Sequence, residues 1–465
     1  MEPDRPLVIV VGAGITGLAT AWHLQQSGRV RVVVVEASEQ TGGKLATATL
    51  AGTEVDAGPD CFLARVPSMT ALCLAVGIND LVAPATGAAY IWSGRKLRRI
   101  PDGLVLGVPT GAMALARSRL VPPRASIRAA RDLMLKPHQA RSADPSVGEI
   151  IEARLGRDVV DQVVEPLLGG IHAGVADRLS LQAVAPQIAD AARANRSLIR
   201  GLQEQQKTTP PPDGPVFLAP VGGMRRLADQ LPDRLVASGV EIRRATVVQK
   251  LTPAANGRIN VFPTGLFADQ VIVTTPAFAA AELVRPHTPG GAEVLDSINY
   301  ASIAMVLLAY RVENAPLPNG SGFLVPRTAG RLLTAASFLT NKWPDLAPPG
   351  HAVVRCSIGH IDDDRGVTMD DGALVDGAHA DLAAALRWPP SVRPADAAVV
   401  RWPRSFPQYE PGHAARVVRA RNFLAAELQN VWLAGAAYDG LGLAACARQG
   451  EEAARLTLTR LRLRG

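Results

Sequence analysis

The run Val8-Ile9-Val10-Val11-Gly12-Ala13-Gly14-Ile15-Thr16-Gly17 has the residue types and spacing to hold a diphosphate. Within its G-x-G-x-x-G pattern, Gly12 suits a tight turn and Gly14 lets backbone approach the anion. Gly17 lets the following helix pack closely on the preceding strand. That helix start would aim free N–H groups and a positive dipole end at the diphosphate. A second apolar run, Arg31–Val35, ends at Glu36, where such units place the acid that holds a ribose 2′-hydroxyl. A carboxylate there argues against a 2′-phosphate, so the pattern predicts FAD or NAD rather than NADP. The plain alternative is a glycine-rich turn in an ordinary α/β domain.

Two further stretches choose between those cofactors. Glu39-Gln40-Thr41-Gly42-Gly43-Lys44 would bring backbone and an ammonium beside the same diphosphate. NAD dehydrogenases do not ordinarily need it, and a β-turn with a solvated lysine is its plain reading. Far along the chain, Val431-Trp432-Leu433-Ala434-Gly435 reads as a strand entering a turn. Tyr438-Asp439-Gly440-Leu441-Gly442-Leu443 then leads into a helix over 444–461. A second helix start facing a negative partner is a feature that a flavin uses and NAD does not.

No residue declares itself as a catalytic acid, base or nucleophile. Glu165-Pro166-Leu167-Leu168-Gly169-Gly170-Ile171-His172-Ala173-Gly174 reads as a loop or broken helix approaching something flat, and His172 as a hydrogen-bonded structural histidine ahead of a catalytic one. The four cysteines, Cys61, Cys73, Cys356 and Cys446, form no C-x-x-C pair, so neither a disulfide framework nor a zinc site is expected. The eight histidines are scattered too, and no metal is expected. The net charge of +7 is spread along the chain, largely as arginine, without a nucleic-acid motif. It reads as a surface for acidic small molecules or anionic lipid heads. No run reaches the ~18 apolar residues of a membrane span. Met1-Glu2-Pro3-Asp4-Arg5-Pro6 is not a signal peptide, and the expected location is the cytoplasm.

The glycine motif with Glu36, Gly42-Gly43-Lys44, Asp56-x-Gly58-Pro59-Asp60 and Ala434-Gly435 … Gly440-Leu441-Gly442-Leu443 resembles the FAD-dependent amine oxidase, phytoene desaturase and porphyrinogen oxidase superfamily. Within it, three stretches look like protoporphyrinogen/coproporphyrinogen oxidases of the Gram-positive type. They are Gly58-Pro59-Asp60-Cys61-Phe62-Leu63, the 165–174 stretch and Arg401-Trp402-Pro403-Arg404-Ser405-Phe406-Pro407-Gln408-Tyr409. The resemblance covers nearly the whole chain. It implies noncovalent FAD, dioxygen as acceptor and hydrogen peroxide as by-product. The implied reaction is six-electron oxidation of a porphyrinogen in haem biosynthesis, with coproporphyrinogen III ahead of protoporphyrinogen IX. By motif, Gly12, Ala13, Gly14, Ile15, Thr16, Gly17, Glu36, Ala37, Gly43 and Lys44 would contact FAD. So would Gly58, Pro59, Asp60, Cys61, Val248, Trp402, Gly435, Leu443, Ala444 and Ala445. Val248 would meet the adenine through its backbone, and Trp402 would pack near the ring. Gly169 and Gly170 are expected at the substrate. Arg65, or Arg95 with Lys96, would take its carboxylates, although Arg65-Val66-Pro67 is less basic than the family's pattern there. Alternatives are an amine or polyene oxidase, and a flavoprotein without enzymatic activity.

These motifs require an α/β architecture. A Rossmann-like FAD-binding domain is expected from the discontinuous segments 1–85, 215–275 and 400–465. A β-rich substrate domain is expected from 86–100 and 276–399, and an inserted helical domain from 101–214. Helices are predicted over 66–77, over 146–163 behind the capping pair Ser146 and Glu149, and over 180–208. Thr209-Pro210-Pro211-Pro212-Asp213-Gly214 reads as a break, and Val247-Val248 as part of a short strand. Between 109 and 135 arginines interleave with apolar residues, as in a surface helix packed on the core or a lipid-facing patch. Peripheral membrane contact and a homodimer both stay open.

Overall fold

The computed structural model describes residues 5–135, 142–208 and 214–462. Met1 to Asp4 and the proline-rich break up to Asp213 lie outside the described residues. Three β-branched runs form the centre of a five-stranded parallel sheet, in the order Glu241–Arg243, Arg31–Val35, Leu7–Val11, Gln270–Val273, Val431–Leu433. Alternate residues face opposite ways, so each strand feeds two cores. Val8, Val10, Val32, Val34 and Ile272 enter the core under the first and last helices. Ile9, Val11, Val33, Val35, Val271 and Val273 enter the core on the other face.

The first helix, Ile15–Gln26, and the last, Leu443–Arg462, lie against each other on that sheet. Their contact is closest at Gly450, where a Cβ would sit 2.6 Å from the Thr16 carbonyl oxygen and 2.9 Å from Ala19 Cβ. No side chain larger than hydrogen fits without separating the two helices.

A seven-stranded sheet forms a second layer, in the order Asp396–Pro407, Tyr300–Arg311, His351–Ile358, Leu333–Phe338, Gly322–Leu324, Ala89–Ser93, Lys96–Arg99. Its longest central strand alternates cleanly. Ala304, Val306, Leu308 and Tyr310 meet the helix Asp371–Leu386, while Leu307 and Ala309 face the nucleotide half. The hairpin at 89–99 forms one edge of this sheet.

Two boundaries move. The helices Ala277–Val284 and Pro289–Asp296 pack on the parallel sheet rather than joining the β-rich layer. A strand buried on both faces needs helical cover on each, and these two helices supply it. The boundary at 400 falls inside the strand Asp396–Pro407, which belongs wholly to the seven-stranded sheet.

The inserted segment is helical, with shorter pieces than its periodicity suggested. The expected helix over 146–163 stops at Leu155, because Gly156 takes φ +96°. Ser146 caps it as expected, accepting from the Glu149 N–H at 3.1 Å. The chain resumes as Arg157–Val159, a π-helical turn Val160–Val164 and the helix Glu165–His172. The stretch expected as a loop or broken helix is therefore helical until Ala173, at φ 49°. The region 180–208 divides into Leu181–Val184, Pro186–Ala194 and Leu198–Thr208, with breaks before Pro186 and at Asn195. Residues 109–135 hold two short helices, Ala112–Ser118 and Pro123–Ala130, separated at Arg119. Val247 and Val248 lie outside any strand. At the centre of this insertion Asp132 accepts from Ser197 Oγ at 2.7 Å and from the Ile199 N–H at 3.0 Å, and pairs with buried Arg154. Among the described residues no helix is long and apolar enough to cross a membrane.

One buried cluster clasps the two sheets together. Arg355, on the seven-stranded sheet, donates to the Gly58 carbonyl and to Asp60 Oδ1, the latter at 3.1 Å. Asp60 also accepts from Trp343 Nε1 at 2.9 Å and from Lys342. Burial alone would raise the Asp60 pKa, but Arg355 and Lys342 outweigh it and hold the carboxyl well below its ordinary range. Arg355→Leu should cost about 3 kcal/mol, since it unpairs one side of a buried charge cluster. Chemical denaturation of the purified protein measures this, and a loss under about 0.5 kcal/mol, the size of an ordinary surface substitution, would mean the clasp contributes little.

Candidate active site

The first glycine turn is built by close contact. Gly12, at φ +103°, donates its N–H to the Val35 carbonyl at 2.8 Å. Thr274 Oγ1 reaches back to the Val11 and Gly12 carbonyls at 2.9 and 3.0 Å. A Cβ at Gly17 would lie 1.9 Å from the Gly12 oxygen, so only glycine lets the helix start this near the strand. Gly14 is different: nothing in the protein stands within 4 Å of where its Cβ would be. It is the N-cap of the first helix and offers no side-chain cap, so the first-turn N–H groups stay available.

The second glycine pair closes on the first. Gly42 donates its N–H to the Ala13 carbonyl at 2.8 Å, and a Cβ at Gly43 would approach Gly14 Cα to 3.1 Å. Glu36 ties the arrangement down. One carboxylate oxygen accepts the Ala13 N–H at 2.6 Å, and the other accepts the N–H and Oγ of Ser38, both at 2.9 Å. Lys44 donates to the Ser405 carbonyl, and burial lowers its pKa against the pull of Cys446.

The C-terminal turn faces this one. Tyr409 Oη donates to the Ala436 carbonyl at 2.6 Å and accepts the Gly440 N–H at 2.9 Å. Gln449 accepts the Gly435 N–H at 3.1 Å and donates to the Gly440 carbonyl at 3.0 Å. These bonds set the loop before the last helix, whose start shares one cavity with the first helix. That cavity encloses about 710 Å³.

Fourteen expected residues line it: Gly12, Gly14, Ile15, Thr16, Glu36, Ala37, Gly43, Lys44, Pro59, Asp60, Cys61, Gly170, Val248 and Leu443. Ala13, Gly17, Gly58, Gly169, Gly435, Ala444 and Ala445 are not on its wall. Several of these shape the backbone behind it, as Gly17 does. Trp402 is likewise off the wall; its indole N–H donates to the Ala57 carbonyl at 3.3 Å and braces the turn beneath. The expected carboxylate ligands lie away from this wall. Arg65, Arg95 and Lys96 are solvent-exposed and none lines this cavity, because the first follows a two-residue strand outward and the others cap a hairpin turn.

Sequence reasoning missed Thr274, Thr275, Pro276, Tyr300, Phe406 and Pro407, which also line the cavity. The first three follow the buried strand Gln270–Val273, so a strand ending in small polar residues was the available signal. Phe406 and Pro407 lie in the stretch from which only Trp402 was singled out.

Three titratable groups on the wall are not poised for proton exchange near neutrality. Asp60 is held as a carboxylate, and burial pushes Cys61 and Tyr300 each to about 12. His172 lies off the wall, and burial lowers it to about 4, so it is neutral at pH 7. Among the described residues no cluster of His, Cys, Asp and Glu could hold a metal.

The family model for flavin containing amine oxidoreductases matches residues 15–458. The chain belongs to that family. The flavoprotein is 32% identical to a Bacillus subtilis protein named coproporphyrinogen III oxidase, over 99% of this chain and 100% of the relative. A Mycobacterium tuberculosis protein of the same name is 33% identical over 94% of each chain. A solved structure from Exiguobacterium sp. 255-15 superposes with a TM-score of 0.86 at 29% identity, covering 98% of this chain and 99% of that one. FAD is the cofactor of this fold, and the cavity fits it. Two helix starts face one space, the open side of Gly14 leaves room for an anion, and Lys44 supplies a cation on the wall.

Gly14→Val should leave folding intact, because a Cβ there has no protein atom within 4 Å, yet abolish flavin absorbance in the purified protein. Unchanged FAD content would remove the diphosphate from this turn. Asp56, next to the braced turn, accepts the Met224 N–H at 2.9 Å, and burial pushes its pKa up to about 6. The folded state then holds an extra proton between the ordinary carboxylate value and about 6, so stability falls as pH rises through that window. Asp56→Asn should flatten this slope, as read from denaturation midpoints across the same pH range.

Proposed function

We propose that this flavoprotein oxidises coproporphyrinogen III to coproporphyrin III in haem biosynthesis. Three dioxygen molecules take the six electrons and six hydrogens and leave as three molecules of hydrogen peroxide. The near full-length likeness to relatives named for this reaction carries the reading. Bound FAD supplies hydride acceptance and reoxidation by dioxygen.

The chain's own part is positioning and electrostatics. The free N–H groups at the first helix start, with Gly43 beside them, hold the diphosphate. Glu36 has lone pairs left for a ribose hydroxyl, and the Val248 backbone takes the adenine. The last helix start places positive charge where the reacting ring belongs, and Lys44 adds a cation to the same wall. Gly170 and Ile171, the latter 43% exposed, offer a low apolar edge against which a flat macrocycle can lie. An acid–base pair is not needed, because pyrrole protons leave to water as aromaticity is gained. The lack of a group on this wall titrating near neutrality among Asp60, Cys61 and Tyr300 agrees with that.

Porphyrin fluorescence appearing in air tests the proposal, with the yellow protein given coproporphyrinogen III and protoporphyrinogen IX in parallel. The four-propionate substrate should be preferred by at least about tenfold in kcat/KM, equivalent to about 1.4 kcal/mol of transition-state binding. Preference for the divinyl substrate would move the enzyme to protoporphyrinogen IX. Oxidation of neither, with FAD bound, would hand the site to an amine, a polyene or a non-catalytic role.

A further inference from the structure

A second cavity of about 710 Å³ lies apart from the flavin cavity. It forms where the hairpin Ala89–Ser93/Lys96–Arg99 meets the helices Ala112–Ser118 and Pro123–Ala130. It shares no lining residue with the first. Asp158 on its wall and Gly170 on the flavin cavity are separated by about 18 Å of helical rise along the same run of chain.

Its wall has two characters. Val121, Pro122 and Ile127 form an apolar side that runs out to the surface, where Ile127 is 63% exposed. Arg98 and Arg119 form a cationic side. Arg98 Nε is buried without a hydrogen-bond partner, and neither arginine pairs with a carboxylate among the described residues. By contrast Arg157, one residue before Asp158, meets Glu152, Asp161 and Asp177. A buried guanidinium N–H without an acceptor is unfavourable, and a bound anion would relieve it. Arg119 is also held at φ 55°, a left-handed conformation that turns the chain from the first short helix into the apolar side.

Asp158 is the counterweight. It lines the same cavity, so two guanidinium groups and one carboxylate leave a net charge of one positive. That balance selects a single negative charge, and a ligand hydroxyl would satisfy the carboxylate. We propose that this cavity binds a monoanionic amphiphile, with a phosphodiester or carboxylate head between Arg98 and Arg119. Its apolar body lies over Val121, Pro122 and Ile127. Exposed Met113 and Met134, at 61% and 73%, extend apolar surface on the neighbouring segments. The ligand is either a phospholipid presented by a bilayer or a free amphiphile, and the site stands independently of the oxidase reading.

Calorimetry on the FAD-loaded protein tests this, with dihexanoylphosphatidylglycerol below its micelle concentration, sodium dodecanoate and inorganic phosphate as probes. At least one amphiphile should bind, and inorganic phosphate should bind at least about tenfold more weakly, because it lacks the apolar body. Arg98→Gln with Arg119→Gln should weaken the amphiphile by about tenfold or more. Arg117→Gln with Arg124→Gln removes the same charge from the helices beside the cavity, outside its wall, and should change it by less than about twofold. Ile127→Asp, at an exposed position that folding does not depend on, should weaken the amphiphile without the arginine changes. Retention on phosphatidylglycerol vesicles but not phosphatidylcholine vesicles, lost with the first pair of substitutions, identifies the bilayer as the source. Binding of monomers alone identifies a free amphiphile. Equal losses from both arginine pairs, phosphate binding as tightly as the amphiphiles, or no binding of either amphiphile overturns the proposal.

Discussion

The approach of the last helix to the first at Gly450 sets the geometry on which the flavin cavity depends. A methyl group there would push against the Thr16 carbonyl and Ala19, separating two helices whose starts must face one small space. The same crowding recurs in the same opening turn of the first helix, where Gly17 sits on the Gly12 oxygen. Helix, strand and helix are thus held at distances that side chains would forbid. The electrostatic result is two positive dipole ends in a largely apolar enclosure, where they act far more strongly than in water. The glycines fix distances, and the distances make the charge useful.

The second sheet contributes through one turn. Residues 56–61 come from the nucleotide half, but Arg355, Lys342 and Trp343 grip them from the other layer, and Trp402 braces them from the strand that overruns its expected boundary. Asp60 serves as the anchor of an ion cluster, and it also borders the cavity. The floor of the site is therefore fixed relative to both layers, so movement between the layers would be felt directly at the cofactor.

Much of this was legible in residue order. Glycines at Gly12, Gly14, Gly17 and Gly43 and the acid Glu36 announce themselves because their roles are local: a turn, a close approach, a carboxylate one strand away. The parallel core was legible too, since Val32-Val33-Val34-Val35 can only be a strand buried on both faces. What could not be read were contacts made across the fold. Arg65, Arg95 and Lys96 are basic and suitably placed along the chain, but their side chains point to water. Helix ends in the insertion were missed because Gly156 and Asn195 interrupt patterns whose apolar period continues past them. Pro276 and Tyr300 reach the cavity only because the chain returns there after the fourth strand in sequence, and no motif marks that return.

The last edge strand of the parallel sheet, Val431–Leu433, and the helix after it follow every other strand of that sheet in sequence. A growing chain can form the first glycine turn long before it can close the cavity around it. The nascent protein must hold a half-built nucleotide fold, with an unpaired strand edge, until that strand and helix have emerged. Cofactor capture is thereby tied to their synthesis, and a chain cut short before Leu443 would carry the signature motif yet stay colourless.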